Sequence, residues 1–187
     1  PDAPGWNERP DQLANAIGLQ PGGKIPALRY STVPLPEDTE ITGPMALVLY
    51  ASIDTADTSW YVEIHDVDPN GAEKRVSVGW LKASQRELDA ARSTPYQPFH
   101  PHTRAMAIEP GKILEYAIDL RETSYVLKAG HRIELLVKAQ DAAWEGSGYR
   151  SVNHLPPSVE TRHTIHHTPE YPSHLLLPII PVDEEAA

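Results

Sequence analysis

The stretch Glu115-Tyr116-Ala117-Ile118-Asp119-Leu120 alternates, with Tyr116, Ile118 and Leu120 on one side and Glu115 and Asp119 on the other. Successive side chains of a strand point to opposite faces, so this period of two specifies a strand with one buried face. Outward from it, similar runs arrive at intervals of about ten to twenty residues. Leu28 to Ser31, Met45 to Ser52, Trp60 to Val67 and Lys74 to Trp80 precede it; the strand itself spans Ile113 to Leu120, and His131 to Gln140 and His174 to Ile180 follow. The 19 prolines fall between the apolar runs, as expected of short strands joined by loops. Asp68-Pro69-Asn70-Gly71 is a β-turn signal, and Lys128-Ala129-Gly130 suits a turn with Gly130 at positive φ. One short helix is expected: Ser84 with Glu87 forms a capping box, and Leu81, Leu88 and Ala91 repeat at helical spacing until Pro95. Many strands, one small helix and no internal repeat point to an all-β, two-sheet sandwich, immunoglobulin-like or jelly-roll.

A length of 187 residues suffices for one sizeable core. No apolar run approaches the roughly 20 residues that span a bilayer, so the protein is expected to be soluble, with no membrane partner. A formal charge of -10, with 16 basic residues scattered among 26 acidic ones, argues against nucleic acid. Without cysteine there is no disulfide, thiolate nucleophile or thiolate metal ligand. Residues 1–27, rich in proline and containing Gly22-Gly23, read as a connector; 28–182 read as the domain and 183–187 as a tail. The start at Pro1, without a signal-peptide pattern, suggests a fragment of a longer protein.

Candidate sites are weighed one by one. An α/β-type serine hydrolase holds its nucleophile on a G-x-S-x-G elbow, and the nearest stretch, Gly146-Ser147-Gly148, lacks that spacing and reads as a flexible loop, so no catalytic residue is expected in this chain. Asp66-Val67-Asp68-Pro69-Asn70-Gly71 matches the first half of a calcium loop, but its twelfth position is Ser77 and strands flank it, which favours a hairpin turn. Asp54 and Asp57 are the alternative calcium ligands, against a plain reading as solvated loop carboxylates. His163, His166, His167 and His174, with His100 and His102, raise zinc or copper. Thr164-Ile165 favours an extended chain that would not gather them, so no metal and no cofactor is called for. Trp144 and Tyr149 are a possible stacking pair for a carbohydrate.

In chain order, Leu28-Arg29-Tyr30-Ser31-Thr32-Val33-Pro34-Leu35, Glu40-Ile41-Thr42-Gly43-Pro44, Asp57 with the Val62 to Gly71 segment, Gly79-Trp80-Leu81-Lys82-Ala83-Ser84-Gln85-Arg86, Gly130-His131-Arg132-Ile133 and Pro169-Glu170-Tyr171-Pro172-Ser173-His174-Leu175-Leu176-Leu177-Pro178 form a distinctive series. Over residues 28 to 181 the chain resembles the C-terminal non-catalytic domain of the X-Pro dipeptidyl-peptidase and cocaine esterase family of serine hydrolases. The resemblance implies a galactose-binding-like jelly roll packed on a catalytic α/β-hydrolase domain of the same parent chain, which supplies the whole Ser-Asp-His triad. It also implies that Leu49 and Tyr50 contact the apolar part of a substrate. On residue grounds Arg132 is expected to pair with an acid such as Asp119, and His174 to be buried and hydrogen-bonded. Two functions stand: an accessory domain that stabilises the hydrolase and walls its cleft, or a carbohydrate-binding module.

Overall fold

The structure is a computed structural model that describes residues 27–139 and 161–181. Eight strands follow in chain order: β1 (Leu28–Ser31), β2 (Thr39–Ile53), β3 (Ser59–Val67), β4 (Glu73–Lys82), β5 (Leu114–Leu127), β6 (Arg132–Lys138), β7 (His163–His166) and β8 (His174–Leu176). All pair antiparallel, in the order β1-β6-β3-β4-β5-β2-β7, with β8 also on β2. The all-β sandwich expected from the alternation is the fold. Of the strand expectations, β1 matches residue for residue, while β2 and β5 run further than the alternation alone marks.

One junction turns the continuous sheet into two packed layers. β4 and β5 share a single paired position, Gly79 with Leu120, and an added Cβ on Gly79 would lie 2.2 Å from the Asp119 carbonyl oxygen. Only a residue without a side chain permits that approach, so the fold bends here. Beside it the Ser77 hydroxyl donates to the Arg121 carbonyl at 2.6 Å. The layer β1-β6-β3-β4 thus faces the layer β5-β2 with β7 and β8, and the core lies between them. From β2 come Met45, Leu47, Leu49, Ala51 and Ile53; from β3, Trp60, Val62 and Ile64; from β5, Tyr116, Ile118 and Leu120; all are buried. This is the alternation of the opening stretch realised in three dimensions.

The turns behave as their residues require. Gly71 at φ +87° closes the β3–β4 hairpin, its N–H donating to the Asp68 carbonyl, while the Asp68 carboxylate accepts the N–H groups of Asn70 and Ala72. Gly43 at φ +131° opens a bulge in β2, where the register with β5 shifts before Met45.

The short helix is not formed; only a single 3-10 turn, Ala83–Gln85, stands there. Both halves of the expected capping box are engaged elsewhere. The Ser84 hydroxyl donates to Asp57 at 2.7 Å, and the Glu87 carboxylate accepts two bonds from Arg104 at 2.6 and 2.9 Å. Arg132 on β6 and Asp119 on β5 have β3 and β4 between them, so the expected pair is not made. His131 is the residue that finds an acid there, its Nδ1 lying 2.7 Å from Asp66 Oδ1. The Tyr125 hydroxyl, from the opposite layer, donates to the other oxygen of Asp66 at 2.8 Å.

Candidate functional site

Leu49 and Tyr50 are neighbours on β2 and therefore project to opposite faces. Leu49 turns inward, is almost fully buried and forms part of the wall of a cavity between the layers. Tyr50 turns outward, and its hydroxyl donates to Glu115 Oε2 at 2.7 Å on the neighbouring β5. That hydrogen bond, then partial burial, holds the phenol above its ordinary range. No single ligand group touches both residues from one side.

The outer surface around Tyr50 is organised by the turn between β7 and β8. The Tyr50 N–H donates to Ser173 Oγ at 2.9 Å, and the Ser173 hydroxyl donates to the His166 carbonyl. The Tyr50 ring lies 5.9 Å from that of Tyr171, which lies 5.9 Å from His166. His166 Nε2 stands 3.2 Å from Ser52 Oγ. The result is a tilted aromatic surface edged by the carboxylates of Glu115, beside Tyr50, and Glu170, beside Tyr171, suited to receive an apolar or aromatic group. The Ser52–His166 contact sits in mid-strand rather than on an elbow.

The histidines are dispersed. His163 pairs with Ile53 and faces the core, where its Nε2 lies 2.8 Å from Thr58 Oγ1 and its ring meets Trp60 edge-on at 5.0 Å. Burial lowers its basicity. His166 pairs with Tyr50 and faces out, so two histidines three apart on one strand point away from each other. His100 sets both ring nitrogens against backbone carbonyls, Glu87 at 2.9 Å and Ala117 at 2.8 Å. His174 is exposed rather than buried, though hydrogen-bonded through Nδ1 to the Pro172 carbonyl at 2.6 Å. Among the described residues no group of three histidine or carboxylate side chains is gathered to hold a metal ion.

Asp57 accepts the N–H groups of Thr58 and Ser84 on one oxygen and the Ser84 hydroxyl on the other; Asp54 accepts the Arg162 N–H. Both carboxylates anchor loops. Trp144, Tyr149 and Ser147 lie outside the described residues, as do the tail and all of the connector except residue 27.

Sequence reasoning passed over one charged cluster. Glu63 in β3 is only 4 % exposed and Lys138 in β6 only 8 %, and they meet at 2.7 Å. His65 Nε2 lies 3.0 Å from the same Glu63 oxygen and Arg75 donates to the other at 3.2 Å. Burial alone would raise the Glu63 carboxyl, but the bonds from His65 and Lys138 and the Lys138 charge outweigh it and hold it at about 2. A lone Glu in the apolar run Trp60-Tyr61-Val62-Glu63-Ile64 is the signal that would have found it.

Comparison with known proteins gives consistent results. Residues 25–176 match the family model for the X-Pro dipeptidyl-peptidase C-terminal non-catalytic domain. The chain is 32% identical over 158 residues to a cocaine esterase of Rhodococcus sp., covering 82% of this chain and 25% of that protein. It is 31% identical over 121 residues to a putative serine esterase of Mycobacterium bovis, covering 62% of this chain and 19% of that one. The crystal structure of a CocE/NonD family hydrolase from Staphylococcus aureus superimposes with a TM-score of 0.76 at 26% identity, covering 82% of this chain and 30% of that chain. The chain therefore spans a third or less of each of these proteins.

Proposed function

The chain belongs to the X-Pro dipeptidyl-peptidase C-terminal non-catalytic domain family, and from that premise we propose that it is the accessory β-sandwich of an α/β-hydrolase-type serine hydrolase that cleaves esters or X-Pro peptides. Its role is binding: it packs on the catalytic domain of the same parent chain, stabilises it and walls its active-site cleft. The observation that carries this reading is a family match over 152 of the 187 residues in a chain with no G-x-S-x-G elbow. In this reading Tyr50, with Tyr171 beside it, offers the aromatic surface to the apolar part of the substrate, while Leu49 supports that strand from the interior. The acyl-enzyme forms on a serine outside residues 1–187. The carbohydrate-module alternative rests on Trp144 and Tyr149, and no observation on the described residues favours it.

The test is labelling of the full-length protein with a fluorophosphonate probe, followed by mapping of the modified peptide. Label on a serine outside this chain is expected. Label within residues 1–187, abolished by one Ser→Ala change there, would overturn the proposal.

A further inference from the structure

Among the described residues the two layers are joined on one side, by β4 and β5, and no ladder joins them on the other, where β1 pairs with β6 and β7 and β8 pair with β2. Between these edges lies a cavity of about 360 Å³. Its walls are the inward side chains of both layers: Leu47 and Leu49 from β2, Leu135 and Val137 from β6, Ile165 from β7 and Leu175 from β8. A cavity of about 150 Å³ lined by aliphatic side chains stays dry and accepts benzene, so one of this size takes a group of roughly ten to fifteen non-hydrogen atoms.

The lining fixes the chemistry of the occupant. Among the described residues no Asp, Glu, Lys or Arg belongs to it, and its polar residues are His167, Ser173, His174 and Tyr30. A charged group entering here would lose its hydration without a counter-charge, whereas a neutral apolar body with one polar end at the mouth loses little. We propose that this inter-sheet cavity is a binding site for a small neutral amphiphile, of the class of a medium-chain alcohol or a bicyclic aromatic. The Tyr50 ring faces the other side of β2, and Ser173, which accepts the Tyr50 N–H, borders both places.

The experiment is a fluorescence titration of the 187-residue chain with 1-naphthylamine, a bicyclic aromatic that is neutral at pH 7, followed by displacement with 1-decanol and with decanoate. Saturable binding of one probe per chain is expected, with decanol displacing it at least tenfold more effectively than decanoate. Leu135→Trp and Leu175→Phe, which fill the cavity from opposite layers, are each expected to weaken probe binding at least tenfold while the chain stays folded by circular dichroism. If one variant fails to fold, the other carries the test. Absence of saturable binding, as when a chain segment or a second copy already fills the space, would overturn the proposal. So would equal displacement by decanoate, or full-strength binding by a folded filled variant.

Discussion

Replacing Glu63 by Gln keeps the shape of the side chain and removes the charge that Lys138 faces. Both groups are buried, and an ion pair deprived of one partner leaves the other charged in a medium that solvates it poorly. The carboxyl is held at about 2 against 4.5 for the unstructured group. At about 1.4 kcal/mol per pH unit, that depression amounts to about 3 kcal/mol of stability at neutral pH. Breaking a buried pair from one side costs about 3–5 kcal/mol, in agreement. Because the folded value is the lower one, the contribution is complete above pH 4.5 and is lost as the pH falls towards 2. Urea unfolding at pH 7 should show E63Q less stable by about 3 kcal/mol, and between pH 4.5 and pH 2 the parent should lose stability more steeply than the variant. E63Q with K138M should recover part of the loss, since a buried pair replaced by apolar or neutral side chains is often tolerated. Refutation would be E63Q within 0.5 kcal/mol of the parent at pH 7, or parallel acid titrations of the two.

Gly79→Ala should be among the most damaging small substitutions, by about 3 kcal/mol or more, because its methyl group meets the Asp119 carbonyl rather than a movable side chain; loss of soluble protein or a large drop in urea midpoint checks it. Burial, then the hydrogen bond to Asp66, pushes the Tyr125 phenol up to about 12, so its contribution is present below pH 10 and fades as the pH rises through 12. Tyr125→Phe should remove the slowest-rising component of the tyrosinate absorbance in an alkaline titration and lower the urea midpoint at neutral pH. In the full-length protein Tyr50→Ala should raise KM severalfold with kcat within about twofold, since it removes contact surface rather than reacting groups; unchanged KM and unchanged thermal stability would withdraw Tyr50 from the site.

The core was legible where burial is one-sided. Tyr116, Ile118 and Leu120 announce β5, and Leu47, Leu49 and Ala51 announce β2, because one face of each strand meets the opposite layer. The far half of β5, Arg121 to Ser124, carries polar residues on both faces and so gives no period to read. The Gly43-Pro44 pair looks like a strand break, whereas the chain absorbs it as a bulge and continues. The helix at Ser84 failed for a tertiary reason: its capping residue binds Asp57, 27 positions away, a partner that local spacing does not reveal. The site was legible only in part. Leu49 and Tyr50 are adjacent in sequence but face opposite sides of β2, and the surface around Tyr50 depends on Tyr171 and Ser173, brought there from more than a hundred residues away. Glu63 and Lys138 were missed because alternation predicts a solvated outer face for that layer, and these two are buried.

The most direct measurement of the central claim is reconstitution. The 187-residue chain and the remainder of its parent protein, expressed as separate polypeptides, should associate with a dissociation constant of micromolar or below. The remainder alone should be poorly active and less stable, and addition of the chain should restore ester or X-Pro peptide hydrolysis in proportion to the complex formed. Full activity and full stability of the remainder alone, with no association, would contradict an accessory, cleft-walling role for this domain.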